Sequence, residues 1–181
     1  MGSFTQVHLE NLIGEKGSTF LSVAVRMCGR ETGEDAFQNA CISALRNIGS
    51  FRGESSLSTW FYTILLNSCR RQMGIWGKIR SVFHQGEYAQ AMIDNAPGND
   101  IDEPGDERLQ GIMTLIEKLP VRQREAMILR FSDELKMSEI AAVMGCSEQT
   151  VKVHIHRGVS ALRKAMNAGE SMEAADEYSM P

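Results

Sequence analysis

The sequence of 181 residues lacks most features that identify enzymes, metalloproteins and membrane proteins. Its four cysteines form no C-x-x-C pair and match no zinc-binding spacing, so we expect free thiols, no metal and no cofactor. No apolar run approaches the about 20 residues that span a bilayer, and residues 1–25 lack the pattern of a signal peptide. No nucleophile–base cluster or phosphate-binding loop is visible, so we expect a cytoplasmic protein that is not an enzyme.

Strand-like alternation is also nearly absent, whereas helical periodicity recurs along the chain and predicts an all-α fold. A first helix is predicted with a break between Gly14 and Gly17. After a polar loop at 51–58, a further helix is predicted from about Thr59 to Met73. Between the first helix and the loop lies a second predicted helix, whose apolar stripe comprises Ala36, Phe37, Ala40, Cys41, Ala44, Leu45 and Ile48.

The composition changes between residues 87 and 108, where seven acids accompany one base and two Pro-Gly pairs interrupt the chain. Such a segment cannot bury much apolar surface, so we interpret it as an extended acidic linker. The linker divides the chain into two small helical domains, at 1–86 and 109–168. The acidic, small-residue-rich segment 169–181 is predicted to be a disordered tail.

The second domain contains the layout of a helix-turn-helix. A short helix from about Met137 to Met144 is followed by a tight turn at Gly145, and a longer helix begins after Ser147, a predicted N-cap, and ends near Met166. On a helical wheel, the core face of this last helix comprises Val151, Ile155, Val159, Leu162 and Met166. The opposite face comprises Gln149, Lys152, Val153, His156, Arg157, Ser160, Arg163 and Lys164.

That opposite face is basic and rich in hydrogen-bonding groups, which is what a helix needs to enter the major groove of DNA. The alternative is an ordinary solvated helix face. His154 and His156 point about 200° apart on a helix, so we do not expect them to share a metal.

The first domain has a second basic cluster in residues 46–80, which contain six Lys or Arg residues and one acid. Three aromatic residues at 60–62 precede Arg70 and Arg71. Aromatic and basic residues together suit single-stranded DNA, because rings stack on bases while cations follow the backbone. The alternative is that the aromatic residues belong to the core and the arginines to a solvated helix end.

Two segments of the chain resemble extracytoplasmic-function sigma factors of the sigma-70 family. Residues 51–71, FRGESSLSTWFYTILLNSCRR, resemble region 2 of that family, and residues 119–131, LPVRQREAMILRF, resemble region 4. The region 4 resemblance continues at 138–141 (SEIA) and 150–152 (TVK). The motifs follow the family's order and spacing over roughly residues 35–166.

The resemblance implies a subunit that binds core RNA polymerase, recognises the −35 and −10 promoter elements, melts the DNA, and is controlled by an anti-sigma factor. It assigns polymerase binding to Glu34, Asp35 and Gln38. The subunit's expected DNA partner is the promoter in double- and single-stranded form. The resemblance assigns the −10 element to Phe51, Arg52, Ser56, Trp60, Asn67, Arg70 and Arg71. It assigns the −35 element to Gln149, Lys152, Val153, His156 and Arg157.

Two other functions fit part of the sequence. A stand-alone helix-turn-helix regulator would use only residues 109–166 and would leave Trp60 and Arg70 unexplained. A protein that sequesters another regulator would make no DNA contact. The net charge of −4 fits a polymerase subunit better than a stand-alone DNA binder, because the polymerase would supply most of the affinity.

Overall fold

The computed structural model describes residues 6–83, 107–131 and 133–177, and the side chains of 6–74, 111–131 and 133–167. Regular structure within these ranges is entirely helical, as the sequence predicted. The elements are α1 (Gln6–Cys28), α2 (Arg30–Asn47), a 3₁₀ turn (Ile48–Ser50), α3 (Leu57–Phe83), α4 (Glu107–Glu117), α5 (Val121–Phe131), α6 (Met137–Met144) and α7 (Glu148–Glu177). The predicted linker lies outside the described residues except for its last two positions, which begin α4.

Three helices extend beyond their predicted limits. The predicted break between Gly14 and Gly17 is wrong, because α1 continues through both glycines. A glycine costs about 1 kcal/mol in a helix interior relative to alanine, and the burial of Leu9 and Phe20 on the same helix offsets that cost. Likewise α3 continues past Met73 to Phe83.

The helix that was predicted to end near Met166 continues as α7 to Glu177, through most of the segment that was predicted to be a disordered tail. The apolar stripe of that helix ends near Met166, and the prediction placed the helix end there. Helix continuation depends on intrinsic propensity as well, and the alanine, glutamate and methionine residues of 168–177 are strong helix formers. Residues 178–181 lie outside the described part of the chain.

The first unit comprises α1, α2 and α3, packed around aromatic side chains. The ring centroid of Phe20 lies 4.5 Å from that of Phe61 and 4.8 Å from that of Tyr62. Gly33 lets α2 approach α1 closely, since a Cβ atom there would lie 2.6 Å from the Cα of Val25. The backbone contact therefore fixes the crossing of these two helices.

The second unit comprises α4 to α7, and its helix-turn-helix has the predicted turn, since α6 ends at Met144 and α7 begins after Ser147. Gly145 adopts a left-handed conformation with φ of 63°, and its N–H donates to the carbonyl of Ala142. The Oγ of Ser147 then accepts a hydrogen bond of 3.1 Å from the N–H of Thr150, as an N-cap does. These two residues orient α7 relative to α6.

The two units pack directly against each other, which the sequence did not predict. Helices α1 and α3 of the first unit contact α5 and α6 of the second. At the centre of the contact, Arg124 donates hydrogen bonds to the carbonyl oxygens of Met27, Glu117 and Leu119. Burial lowers the pKa of the Arg124 guanidinium, and the neighbouring Glu117 partly opposes that shift.

Candidate nucleic-acid interface

The N-terminal half of α7 presents the residues that were assigned to the −35 element. All five are exposed: Gln149, Lys152, Val153, His156 and Arg157. Val151, on the opposite face, is fully buried, and Ile155, Val159 and Leu162 are partly buried. The helical wheel therefore separated the two faces of this part of the helix correctly.

The wheel was wrong for Met166, which is 43% exposed. The packing that holds α7 lies nearer its N-terminus, around Gly158. A Cβ atom at Gly158 would lie 2.9 Å from Met127 Cγ and 3.6 Å from Leu119 Cδ1, so α7 crosses α5 closely there. Met166 lies about two turns farther along the helix and beyond that crossing.

The loop before α3 forms an open cavity of about 210 Å³. The rings of Phe51 and Trp60 lie along it, with centroids 5.3 Å apart, and the exposed side chain of Arg52 borders it. Phe61 and Tyr62 belong to the buried core. Two of the three consecutive aromatic rings therefore fill the interior, as the alternative interpretation predicted, and the third, Trp60, lines the cavity.

Ser56 has a structural partner that its assignment to DNA did not include. Its Oγ accepts a hydrogen bond of 3.0 Å from the N–H of Thr59 and lies 2.8 Å from Thr59 Oγ1. Ser56 is therefore the N-cap of α3. The pattern of a serine three residues before a polar residue at a helix start was visible in the sequence.

Arg70 contacts the second unit and keeps 31% of its side chain exposed. Its Nε and Nη2 donate to Oε1 and Oε2 of Glu125, at 2.6 and 2.9 Å, in a bidentate ion pair. Its Nη1 donates to Oδ1 of Asn67 at 2.8 Å. The hydrogen bonds to Glu125 raise the pKa of the Arg70 guanidinium. Of the three polar residues assigned to this part of α3, Arg71 alone lies apart from this cluster, and it is exposed.

Glu125 is fully buried, and a second arginine accompanies it. Arg122 Nη1 donates to Glu125 Oε2 at 3.0 Å, while Arg122 Nη2 donates to the carbonyl of Met144 at 2.7 Å. A buried carboxylate requires such partners, because an isolated charge away from water is costly. The second unit supplies one of the two arginines and the first unit supplies the other.

Two further hydrogen bonds join the units, and with Arg70–Glu125 they are called the closing contacts below. Tyr62 Oη donates to Asp133 Oδ2 at 2.8 Å, and Arg124 Nη1 donates to the carbonyl of Met27 at 2.8 Å. Burial raises the pKa values of both Tyr62 and Asp133. Beside these contacts an open cleft of about 180 Å³ separates Ser55, Ser56 and Thr59 from Ser138, Glu139 and Ala142.

The surface of α2 presents the residues assigned to polymerase binding, since Glu34, Asp35 and Gln38 are all exposed. Ile42 and Leu45 are exposed by 47% and 42% on the same helix. Leu45 was expected in the core, but the buried residues of the stripe are the small Ala36, Ala40 and Ala44. Small residues every fourth position bring α2 close to its neighbours and leave a larger side chain at the edge of the stripe outside.

Among the helices described, none combines the length and apolar character that crossing a bilayer requires.

The chain matches two family models, Sigma-70 region 2 at residues 12–74 and Sigma-70, region 4 at residues 109–162. The segments that suggested this resemblance, 51–71 and 119–131, lie inside the matched ranges.

Full-length relatives match across both domains. The chain is 31% identical over 147 residues to the RNA polymerase sigma-H factor of Pseudomonas aeruginosa, covering 74% of this chain and 72% of that protein. It is 33% identical over 135 residues to the ECF RNA polymerase sigma-E factor of Escherichia coli K12, covering 71% and 70%.

Solved structures share the fold, among them the following two. One is the sigma factor RpoE in complex with the anti-sigma factor NepR from Bartonella quintana, with a TM-score of 0.67, 22% identity, and coverage of 87% of this chain and 96% of that one. The other is CnrH in complex with the cytosolic domain of CnrY, with a TM-score of 0.63, 19% identity and coverage of 91% and 90%. From its matches to both sigma regions and to full-length relatives, the chain belongs to the extracytoplasmic-function sigma factors, the transcription initiation factors of RNA polymerase in the sigma-70 family.

Proposed function

We propose that this sigma factor reads the −35 element with the N-terminal half of α7 and captures −10 bases at the Phe51–Trp60 cavity. The observation that carries the proposal is the exposed set of Lys152, His156 and Arg157 on a helix that Gly145 and Ser147 orient. An exposed basic face on the second helix of this motif suits the major groove, where such side chains contact phosphates and base edges.

The cavity beside Phe51 supports the −10 assignment in a different way. Single-stranded bases stack on aromatic rings, and each such contact contributes about 1–3 kcal/mol. Trp60 offers one ring and Phe51 a second, 5.3 Å away, with Arg52 placed for the backbone. A base that leaves the duplex loses its stacking on the neighbouring bases, and stacking on the rings of such a pocket replaces that lost contact. Ser56 acts here by holding the loop through its cap of α3.

Core polymerase binds, in this proposal, to the exposed face of α2. Glu34, Asp35 and Gln38 supply charged and polar contacts, and Ile42 and Leu45 supply apolar area. Exposed apolar side chains beside polar ones are typical of a protein interface. The two apolar residues extend the surface by about two turns toward the end of α2.

An anti-sigma partner and a cytoplasmic location complete the proposal. The two solved structures named above are complexes with a second protein, an anti-sigma factor in one case and a cytosolic domain in the other. The chain acts where RNA polymerase acts, and its promoter-binding surfaces are the ones that an inhibitor would need to cover.

Reconstituted transcription tests the promoter assignments. Core polymerase with this chain is expected to start transcription from a defined set of sites on genomic DNA, as read by sequencing the RNA. Arg157→Ala should weaken upstream-element recognition by about 1–3 kcal/mol if it contacts a base. Lys118→Ala, on an exposed basic residue of the same domain outside α7, is the matched control and should leave promoter choice unchanged.

An unaltered set of start sites with Arg157→Ala would reject the role of that residue. The alternative hypothesis of a stand-alone regulator makes the opposite prediction for DNA binding by the chain without polymerase. It requires tight operator binding by the free chain, whereas a polymerase subunit requires that the free chain binds promoter DNA weakly.

A further inference from the structure

We propose that this sigma factor closes itself by an internal mimic of DNA, in which Glu125 of region 4 occupies the Arg70 guanidinium that region 2 uses at the −10 element. Polymerase binding then requires that the closing contacts break. The inference rests on the proposed assignment of Arg70 to DNA. It adds a regulatory step, carried by named residues, to that assignment.

The geometry of the ion pair supports the mimicry. Two nitrogens of Arg70 contact both oxygens of one carboxylate, at 2.6 and 2.9 Å. Arginine binds phosphate in the same forked manner, because the planar guanidinium matches two oxygens of either anion. The fork cannot hold the carboxylate and a DNA phosphate at once. Closure therefore competes directly with DNA for this side chain.

A second assigned residue is engaged in the same cluster. Asn67 Oδ1 accepts a hydrogen bond from Arg70 Nη1 at 2.8 Å, so the position of its amide depends on where Arg70 lies. The packing of α6 against α3 also places Ser138 and Glu139 across a cleft from the loop residues Ser55 and Ser56. The closed form thus engages Asn67 and Arg70 and faces Ser56, three of the seven residues that were assigned to the −10 element.

The contact between regions 2 and 4 is stable in the closed form, and it can also open without leaving Glu125 unpaired. Glu125 keeps Arg122 as a partner when Arg70 leaves, so opening does not strand a buried charge without any counter-ion. The remaining closing contacts are single hydrogen bonds from Tyr62 and from Arg124. A ligand shifts such an equilibrium by its differential affinity for the two forms. Core polymerase, which must separate regions 2 and 4 to place them on two promoter elements, is that ligand.

Small-angle X-ray scattering of the full chain, without DNA or polymerase, measures closure. Glu125→Gln removes the charge that holds Arg70, and Tyr62→Phe removes a different closing contact while keeping the ring in the core. Both variants should increase the radius of gyration. Glu10→Gln, on an exposed carboxylate that accepts a hydrogen bond within α1, is the matched control and should not.

Equilibrium binding to core polymerase supplies the second measurement. If closure reduces the fraction of competent molecules, both variants should bind core more tightly than the wild type, by about three- to tenfold. Circular dichroism verifies that each variant is folded. Should Glu125→Gln unfold region 4, Tyr62→Phe decides the matter on the same two criteria.

A wild-type radius of gyration that matches separated domains, or variants that neither expand nor bind core more tightly, would overturn the inference. Variants that expand without any gain in core affinity would reject the regulatory role. If the promoter assignments are wrong, the RNA sequencing experiment with Arg157→Ala detects it, and the scattering result is unaffected. The two proposals can therefore fail separately.

Discussion

Tyr62 Oη donates a 2.8 Å hydrogen bond to Oδ2 of Asp133, which lies 71 residues farther along the chain. The tyrosine ring belongs to the core of region 2, where it packs edge-on against Phe20. The carboxylate belongs to the turn that precedes the helix-turn-helix of region 4. Because Asp133 is partly buried at the contact between the two domains, its ionisation makes that contact sensitive to pH.

We expect Asp133→Asn to change that sensitivity in a defined direction. Burial raises the pKa of Asp133, outweighing the opposing effects of Tyr62, Arg26 and Lys16. A carboxyl group whose pKa is raised on folding contributes stability that is complete below its unfolded pKa, about 3.9, and is lost as pH rises through the folded value. Asparagine accepts the same hydrogen bond without carrying the charge.

The variant should therefore be more stable than the wild type at pH 7, and the difference should shrink as pH falls toward 4. Urea unfolding at a series of pH values measures this difference in the free energy of unfolding between the variant and the wild type. Equal differences at every pH would contradict the prediction. Tyr62→Phe is the companion variant: it removes the hydrogen bond that lowers the Asp133 pKa and leaves the carboxyl in place.

Replacing Ser56 separates its two possible roles. Ser56→Ala removes the acceptor for the N–H of Thr59, so we expect a loss of about 1 kcal/mol in the free energy of unfolding. Ser56→Thr keeps a capping hydroxyl and should restore most of it. Ser55→Ala is the control, since Ser55 Oγ makes only a 3.3 Å hydrogen bond to a neighbouring carbonyl. Chemical denaturation gives these values, and an undiminished stability in Ser56→Ala would exclude the cap.

Two glycines of region 2 should respond oppositely to alanine. A Cβ atom at Gly33 meets the backbone of Val25 at 2.6 Å, so Gly33→Ala must push α2 from α1 and should cost about 1–3 kcal/mol or more. Gly14 lies in a helix with nothing within 4 Å of an added Cβ, so Gly14→Ala should stabilise by about 0.5–1 kcal/mol. Thermal unfolding distinguishes the two, and shifts of the same sign would refute the packing argument.

Ile42 and Leu45 provide a test of the α2 surface. Ile42→Gln and Leu45→Gln should each weaken binding to core polymerase by about 1–2 kcal/mol, because each removes apolar area that the complex would bury. Both side chains are already partly exposed, so the unfolding temperature should change little. Val7→Gln, on a residue exposed by 59% in α1, is the control. Unchanged affinity in both α2 variants would remove these residues from the polymerase surface.

The sequence predicted what depends on local order. Gly145 and Ser147 marked the turn of the helix-turn-helix because a left-handed conformation and an N-cap each have a strong residue preference. The wheel also identified the exposed face of α7 near its N-terminus. These features need no knowledge of how distant segments meet.

What the sequence could not predict depends on tertiary contact. Arg70 reads as a free basic residue until Glu125 is placed beside it, and no local pattern links positions 55 residues apart. Leu45 fits the apolar stripe of α2, yet it lies outside because Ala40 and Ala44 bring the neighbouring helices close. The end of α7 was predicted too early for a local reason, because the helical propensity of the sequence continues beyond the point where its apolar pattern stops.

Arg124 joins the ends of two helices that belong to different halves of the molecule. Carbonyl groups in the last turn of a helix lack partners within it and carry partial negative charge. One guanidinium satisfies such carbonyls at Met27 of α1 and at Glu117 of α4. The order of each helix end is consequently linked to that of the other, so either half expressed as an isolated fragment should melt below the temperature of the intact protein.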